Sequence, residues 1–301
     1  MQLGVVLKKV AVFGGSGFLG SYVADELSNR GYKVIIVDKM SSSHIRDDQD
    51  FIECNIMNLH EINDILKNDI DIVYNFAAIA DIEKANSIPI TTLQINVIGN
   101  ANILESCRQH NIKRFIYASS AYAVSNDGSF YGISKHSSEK IIEEYYKRYG
   151  LEFTIIRYGS LYGNRTDETN FIYGLLLSAL KNGRIEYNGN GDEIREYIHA
   201  EDSAKLSVDI IESGDYVNEH IVLTGVEKFK RLEILEMISE IMGNNIDIVN
   251  NKDDYVGHYK ITPYSFHPTL AKKLVANPYI DLGQGIVDCL KNINDSIQIE
   301  I

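Results

Sequence analysis

A tyrosine and a lysine one helical turn apart are the side chains of this sequence best suited to moving a proton. Tyr131 and Lys135 lie in the segment YGISK, and their spacing places them on one face of a predicted helix. A phenol has a pKa of about 10, which must fall by about 3 before the group can take a proton from an alcohol near neutral pH. A neighbouring ammonium favours the phenolate, and Ser120, at the end of the preceding strand, could orient the alcohol oxygen for Tyr131. This spacing is common on surface helices, so the pair becomes specific only together with the features below.

A glycine-rich segment near the start of the chain is a second candidate site. The segment GGSGFLG places Gly14, Gly17 and Gly20 between a predicted strand and a predicted helix. Backbone N–H groups and the helix dipole at such a point favour a pyrophosphate, and glycine permits the close approach that a Cβ would block. Asp38 ends the second predicted strand, where a carboxylate accepts hydrogen bonds from ribose hydroxyls and repels a 2′-phosphate. The sequence therefore predicts a dinucleotide site that favours NAD over NADP.

Strand-like and helical segments alternate through the first half of the chain, which implies βαβ units and a parallel sheet. We therefore expect an α/β fold, a Rossmann-type doubly wound parallel sheet over residues 1–163 with a smaller C-terminal substrate-binding lobe mainly over 164–301. Segments near 194–225 are expected to return to the first domain, and residues 81–83 are expected in a solvated loop. The predicted strands are 10–15, 34–38, 51–54, 72–78, 115–120, 153–159 and 221–225, and the predicted helices are 18–30, 59–66, 90–110, 132–149, 171–182, 201–213 and 229–243.

Composition and charge narrow the class of protein. The chain has 301 residues, 45% of them hydrophobic, which is enough for one large α/β domain with a small lobe. A net charge of -13 argues against a nucleic-acid partner, because neutralising phosphates supplies most of the affinity of such proteins. Three cysteines without a CxxC pair predict free thiols in a reducing cytoplasm, and scattered histidines predict no metal site. The N-terminus lacks a signal-peptide pattern, and no run of 18 apolar residues predicts a membrane span.

Taken together, these motifs resemble the extended short-chain dehydrogenase/reductase family, in particular its nucleotide-sugar epimerase/dehydratase branch. The likeness covers nearly the whole chain, and the ordered set is more specific than any single motif. The motifs that carry it are GGSGFLG (14–20), NFAA (75–78), NVIGN (96–100), ASSA (118–121), YGISK (131–135), RYGSLYGN (157–164) and IREYIHAED (194–202).

The resemblance assigns roles to individual residues of the predicted site. It implies NAD as the cofactor and Ser120, Tyr131 and Lys135 as the catalytic residues. For cofactor binding it implies Gly14, Gly17, Phe18, Leu19, Asp38, Asn55, Ile56, Phe76, Ala77, Ala78, Asn96, Tyr131 and Lys135. For binding a nucleotide-diphosphate sugar it implies Ser120, Ala121, Tyr122, Asn170 and Arg195, the last two at the diphosphate.

The resemblance also narrows the reaction. The 4,6-dehydratases of this branch carry Asp-Glu directly after the active-site Ser or Thr, whereas Ala121-Tyr122 follows Ser120 here. We therefore expect oxidoreduction at a sugar carbinol, at C4, as in a nucleotide-sugar 4-epimerase. A nucleotide-sugar dehydrogenase or a 4-keto-sugar reductase would use the same residues and stays open. A non-catalytic dinucleotide sensor is disfavoured because Tyr131 and Lys135 are both present, and a reductase of small ketones or lipids is disfavoured by Arg195.

Relatives in this branch pair two helices from each subunit to form a dimer, which implies a homodimer through the predicted helices 90–110 and 132–149. Ile141, Ile142 and Tyr145 form an apolar stripe on the second of these helices. The internal core of the domain would explain the same stripe, so the sequence leaves the two explanations open.

Overall fold

The computed structural model describes residues 8–251 and 271–299. Its main feature is a parallel sheet, which in these residues has eight strands in the order β14-β11-β6-β5-β4-β1-β2-β3. The strands are β1 (Lys9–Phe13), β2 (Lys33–Asp38), β3 (Asp50–Glu53), β4 (Ile72–Asn75), β5 (Arg114–Ser120), β6 (Glu152–Tyr158), β7 (Ser160–Tyr162), β8 (Arg184–Tyr187), β9 (Ile194–Arg195), β10 (Tyr197–His199), β11 (Glu219–Leu223), β12 (Phe229–Lys230), β13 (Asp247–Asn250) and β14 (Lys272–Leu274).

Helices cover both faces of this sheet, which is why its strands are apolar on both sides. In β1, Val10 and Val12 face one layer of the core, whereas Ala11 and Phe13 face the other, as the two-residue period of a strand requires. The helices are α1 (Phe18–Asn29), α2 (Leu59–Leu66), α3 (Ile82–Ser87), α4 (Pro89–Leu93), α5 (Asn100–Gln109), α6 (Ser129–Tyr149), α7 (Phe171–Asn182), α8 (Ala200–Glu212), α9 (Arg231–Ile241) and α10 (Leu282–Ile299).

The order of the strands determines where a ligand can bind. Successive strands run outward from β1 in one direction to β3, and the chain then crosses to β4 on the other side of β1. The carboxyl ends of β1 and β4 therefore flank the point at which the strand order reverses. Open α/β sheets bind their ligands in the crevice at this point.

A separate apolar core lies in the C-terminal lobe. It is formed by α7, α9, α10 and β8, and its fully buried side chains include Leu176, Ile185, Ile234 and Ile286. Three two-stranded ladders, β10-β7, β12-β9 and β13-β8, complete the described part of this region. We propose that the division of the chain near residue 163 is a domain boundary, because the lobe has its own core and α8 and β11 return to the sheet.

The fold class predicted from the sequence is confirmed, and the differences are local. Strand β4 ends at Asn75 rather than at residue 78, and β14 joins the main sheet although it lies outside the range predicted to return. Residues 81–83 are not a solvated loop: Asp81 caps α3 by accepting a hydrogen bond from Lys84 N at 2.6 Å, and Ile82 is buried. A short helix escaped prediction because its apolar face is too short to show a period.

The apolar stripe on α6 belongs to the interior of the domain. Ile142 is fully buried, and Ile141 and Tyr145 pack against the same core layer as α5. In the described residues, no helix combines the length and the apolar content that crossing a bilayer requires.

Replacing Ile286 with alanine should lower the free energy of unfolding by about 2–5 kcal/mol, because a buried aliphatic side chain leaves a cavity in the lobe core. Ile241→Ala, at a side chain that is 37% exposed, is the matched control and should cost about 1 kcal/mol or less. Urea unfolding measures both values. Equal losses in the two variants would show that the lobe has no packed core of its own.

Candidate active site

The predicted site residues meet at the carboxyl ends of β1, β4 and β5. The glycine segment follows β1, Ala77 follows β4, and Ser120 ends β5. These strands are neighbours in the sheet, so three distant parts of the sequence converge on one edge. This edge is the point at which the strand order reverses.

The turn after β1 leaves no room for side chains. Gly14 has φ +76°, a backbone conformation that favours glycine, and a Cβ there would lie 2.5 Å from Ala77 N. A Cβ on Gly20 would overlap the carbonyl oxygen of Gly14. Gly17 precedes α1 and offers no side-chain cap to the first amides of that helix. The turn therefore presents bare backbone and an uncapped helix N-terminus, which together suit a pyrophosphate.

Asp38 lies beside this turn at the end of β2. Its Oδ2 accepts a hydrogen bond from Ser16 N at 3.1 Å, and its Oδ1 accepts one from Lys39 N at 2.8 Å. These two amides hold the carboxylate at the rim of the glycine turn. The oxygens can accept further bonds there, as a ribose diol would require.

A smaller cavity of about 580 Å³ lies past the ends of β2 and β3. Asn55 lines it together with Thr91 and Gln94, and Asn55 Oδ1 accepts a hydrogen bond from Met57 N at 3.0 Å. Ile56 packs against Gly99, where a Cβ would lie 2.6 Å from Ile56 Cδ1. The place and size of this cavity suit the adenine end of a dinucleotide.

Lys135 occupies a buried position between two aromatic rings. It is 3% exposed, its Nζ donates a hydrogen bond to Ala118 O at 2.7 Å, and it lies 4.9 Å from the Tyr117 ring centroid and 5.8 Å from that of Tyr131. Burial lowers the pKa of Lys135 to about 7, and the charge of Glu139 opposes that shift. The predicted pair is therefore assembled, with the ammonium close to the phenol.

Ser120 and Tyr122 complete this corner of the site. Ser120 Oγ accepts a hydrogen bond from Tyr122 N at 3.2 Å, which starts a short 3₁₀ turn over residues 121–124. The Tyr122 ring packs edge-on against Tyr131 at 6.2 Å between centroids. Ala121 is 1% exposed and does not line the cleft described below, unlike its neighbour Tyr122.

Asn96 connects the loop after β4 to the catalytic helix. Its side chain accepts a hydrogen bond from Ile79 N at 2.7 Å and donates to Ile79 O at 3.0 Å and to Ser134 Oγ at 2.9 Å. It lies in a π-type turn, Gln94–Gly99, that interrupts the predicted helix 90–110 between α4 and α5. The structure thus gives Asn96 a positioning role, and its contact with a cofactor stays a prediction.

The remaining predicted cofactor residues lie around the same edge. Phe18 lines the large cleft, whereas Leu19 is buried in the core beneath α1. Phe76 stacks on Tyr74 with 5.9 Å between ring centroids, and Ala77 N donates to Asn75 Oδ1 at 3.0 Å. Ala78 is half-buried in the same segment.

A cleft of about 1280 Å³ separates this edge from the lobe. Tyr122, Asn170 and Arg195 line it, as predicted for substrate residues. Asn170 caps α7 by accepting a hydrogen bond from Tyr173 N at 3.3 Å, and its Nδ2 donates to Leu161 O at 2.9 Å. Arg195 Nη1 donates to Ile194 O at 3.0 Å.

Two arginines that were not predicted from the sequence, Arg165 and Arg231, also line the cleft. Arg231, at the start of α9, donates to Asn188 O at 2.8 Å and lies 5.0 Å from the Phe171 ring centroid. Arg165 pairs with Asp25 at 2.7 Å, and it directly follows the motif RYGSLYGN, which is the signal that could have found it. Three guanidinium groups in the cleft of an acidic chain suit a diphosphate.

The fold and the site define a dinucleotide-dependent enzyme that moves a proton and a hydride at an alcohol carbon. The model of the NAD dependent epimerase/dehydratase family matches residues 10–224, and the chain belongs to this family.

Individual proteins of known sequence or structure agree with that membership. A Methanocaldococcus jannaschii protein provisionally named a UDP-glucose 4-epimerase is 28% identical over 308 residues, which cover 95% of this chain and 99% of that protein. A UDP-N-acetylglucosamine 4-epimerase from Methanobrevibacter ruminantium, solved with UDP-N-acetylmuramic acid, has a TM-score of 0.83 and 25% identity over 97% of this chain and 100% of its own. The Thermotoga maritima UDP-glucose 4-epimerase has a TM-score of 0.84 and 23% identity over 96% of this chain and 99% of its own, and it shows the same fold.

The NAD of this family fits the residues present. The turn at Gly14 is a cradle that a Cβ would fill, and Asp38 stands where a 2′-phosphate would be repelled. The expected cofactor and the expected enzyme class are thus confirmed, and the contacts of individual residues with ligands remain predictions.

Gly14→Ala should weaken NAD binding by roughly 100-fold or more, because the added Cβ collides with the backbone at Ala77 and displaces the turn. Gly31→Ala is the matched control: Gly31 has φ +82°, and a Cβ there meets nothing within 4 Å. Both variants carry the same backbone strain, so only the first should lose NAD in a calorimetric titration. Comparable affinity in both proteins would contradict the proposed role of the turn.

Lys135→Met should raise the melting temperature by roughly 3–6 °C at pH 6, since it removes a charge that burial disfavours. The pKa of Lys135 is about 7 in the folded chain and about 10.5 in a solvated lysine, so the unfolded state binds more protons between these values. The wild type therefore gains stability as pH rises. The difference in melting temperature between the wild type and the Lys135→Met variant should shrink toward pH 10.5. Lys140→Met, at a partly exposed position of α6, should show no such pH-dependent gap in thermal unfolding.

Proposed function

We propose that the protein is a nucleotide-sugar 4-epimerase that acts on UDP-hexoses. The observation that carries the proposal is the buried Lys135 beside Tyr131, whose ring packs against Tyr122. Tyr122 in turn lines a cleft together with three arginines. The related proteins named above are UDP-sugar 4-epimerases by name, and their lengths match this chain.

The side chains of the site can carry both directions of proton transfer. The Lys135 cation favours the phenolate of Tyr131, which takes the proton of the sugar 4-hydroxyl. Ser120 lies at the end of β5, from which its hydroxyl would hydrogen-bond the same oxygen. Bound NAD supplies the hydride acceptor and, in the return step, the hydride donor. Once the 4-keto sugar has turned its other face, Tyr131 returns the proton and the C4 configuration is inverted.

The cleft would hold the nucleotide while the sugar turns. Arg165, Arg195 and Arg231 line one continuous space with the N-terminus of α7, and all of these favour a diphosphate. A volume of about 1280 Å³ leaves room for the sugar to rotate about its anomeric linkage. An anchored diphosphate with a free sugar is the arrangement that epimerisation requires.

The residues after Ser120 argue against water elimination. Dehydration of the hexose needs an acid and a base close to C5 and C6, in addition to the Tyr-Lys pair. Ala121 occupies the first position after Ser120 and is buried. Tyr122, the next residue, has its ring against Tyr131 and offers no carboxylate.

We also propose a homodimer that forms through α5 and α6. Ile133 on α6 is 57% exposed, and Ile98, in the turn before α5, is 51% exposed. The turn that carries Ile98 packs beside α6, and a partner that covers both isoleucines would remove their apolar surface from water. Because Ile141 and Ile142 face the interior, the proposed contact uses a different face of α6 from the one the sequence pattern suggested.

A cytoplasmic location is part of the same proposal. Cys54, Cys107 and Cys289 are buried and unbonded to one another. Free thiols of this kind are typical of proteins in reducing compartments.

Tyr131→Phe should lower kcat for the interconversion of UDP-glucose and UDP-galactose by about 10³-fold, because general acid–base catalysis is lost. Nuclear magnetic resonance of the sugar anomeric protons measures the conversion with no coupling enzyme. Tyr149→Phe, at an exposed tyrosine of the same helix, is the control and should retain full activity. Wild-type turnover by the Tyr131 variant would refute the assignment, whereas product release with net consumption of NAD would identify a dehydrogenase.

A further inference from the structure

A buried ion pair lies directly behind the Tyr-Lys pair. Glu139 and Arg157 are 0% and 1% exposed, and they are joined by two hydrogen bonds, Nε to Oε1 at 3.0 Å and Nη2 to Oε2 at 2.7 Å. Ser119 Oγ also donates a hydrogen bond to Glu139 Oε1. The buried carboxylate therefore accepts three hydrogen bonds, two from the Arg157 guanidinium and one from the Ser119 hydroxyl.

The backbone explains why these groups meet. Tyr131, Lys135 and Glu139 follow one another at four-residue intervals and form one stripe of α6. Ser119 of β5 is paired in register with Arg157 of β6, so their side chains stand side by side on the sheet face that α6 covers. Helix and sheet are thus joined one turn beyond the catalytic lysine.

Glu139 is the one anion among the three buried charged side chains Lys135, Glu139 and Arg157. Lys135 and Arg157 are both cations in a region where burial disfavours charge. The negative charge of Glu139 raises the pKa of Lys135 while burial lowers it to about 7. A buried ion pair is a weak source of stability, so a further role is needed to explain why this one lies here.

We propose that Glu139 is a positioning residue for the catalytic pair, holding Lys135 as an ammonium beside Tyr131 while Arg157 and Ser119 hold the carboxylate. The inference rests on the proposed role of Tyr131 and extends it to groups that touch neither substrate nor cofactor. Ser119 links the carboxylate to strand β5. The residue after Ser119 is Ser120, and the residue before it is Ala118, whose carbonyl accepts a hydrogen bond from Lys135 Nζ. The carboxylate is thereby fixed between α6, which carries Tyr131 and Lys135, and β5, which ends at Ser120.

The test measures the ionisation of Tyr131 directly, with neither cofactor nor substrate bound. The ultraviolet absorbance of tyrosinate is followed against pH in each protein and in the same protein carrying Tyr131→Phe, and the difference belongs to Tyr131. Glu139→Gln should raise the pH midpoint of this ionisation by about one pH unit, because Lys135, one turn away, then loses its proton more readily. Loss of the carboxylate also favours the phenolate directly, but Tyr131 is two turns away and this opposite effect is smaller. At pH 7 the same variant should lose about tenfold in kcat for the UDP-sugar with KM nearly unchanged.

A second variant protects the test against loss of folding. Glu139→Gln alone leaves Arg157 buried without its carboxylate, which is strongly destabilising, whereas replacing both members of a buried pair by uncharged groups is often tolerated. The double variant Glu139→Gln/Arg157→Met should therefore fold and still show the raised midpoint. Glu143→Gln, one turn further along α6 and paired with Lys140 and His220, is the matched control and should leave the midpoint unchanged.

The outcomes separate this inference from the proposed function. A folded double variant with the wild-type Tyr131 midpoint would overturn the role of Glu139 and leave the pair as a structural contact. A raised midpoint in a protein that converts no UDP-sugar would support the role of Glu139 while refuting the proposed substrate. Equal shifts in the Glu139 and Glu143 variants would overturn the inference, because any loss of charge on α6 would then suffice.

Discussion

A lysine ammonium without access to water is the constraint around which this site is arranged. Burial lowers the pKa of Lys135 to about 7, and only the protonated lysine favours the phenolate of Tyr131. The Ala118 carbonyl, the face of the Tyr117 ring and the charge of Glu139 each offset part of that penalty. These contacts come from β5 and α6, so the packing of that helix on that strand is a condition for the chemistry.

The second requirement is that the glycine turn, where the cofactor binds, keeps a fixed position relative to Tyr131 and Lys135, where the proton is transferred. The segment after β4 contacts both places. At Ala77 its backbone lies so close to Gly14 that no side chain would fit there. At Ile79 its amide and carbonyl are hydrogen-bonded to the side chain of Asn96. Asn96 in turn bonds Ser134, one residue before Lys135. The distance between a dinucleotide in the glycine turn and the phenol on α6 is thus set by the hydrogen bonds of one side chain, Asn96.

Local features of the sequence predicted the local features of the fold. The strand–glycine–helix segment at 10–30, the acid at Asp38 and the Tyr131–Lys135 spacing are all short-range patterns, and the structure has them where they were expected. Contacts between distant segments carry no such pattern. The pairing of Glu139 with Arg157 spans 18 residues, and Arg231 reaches the cleft because α9 joins α7 in the core of the lobe. The interruption at Gln94–Gly99 was also beyond prediction, since one wider turn barely alters the apolar period of a helix.

The path of the chain through the lobe bears on how the molecule is built during synthesis. The lobe core combines α7, α9 and α10, and between these helices the chain returns to the sheet as α8, β11 and β14. Neither half is a continuous stretch of sequence that could be cut out whole. The glycine turn and the Tyr-Lys corner come from the first 160 residues, whereas Arg195 and Arg231 in the facing wall of the cleft come from later segments. Helix α1, which follows the glycine turn, completes its packing on its core face only once α8 has been synthesised, so the cofactor end also depends on the later part of the chain.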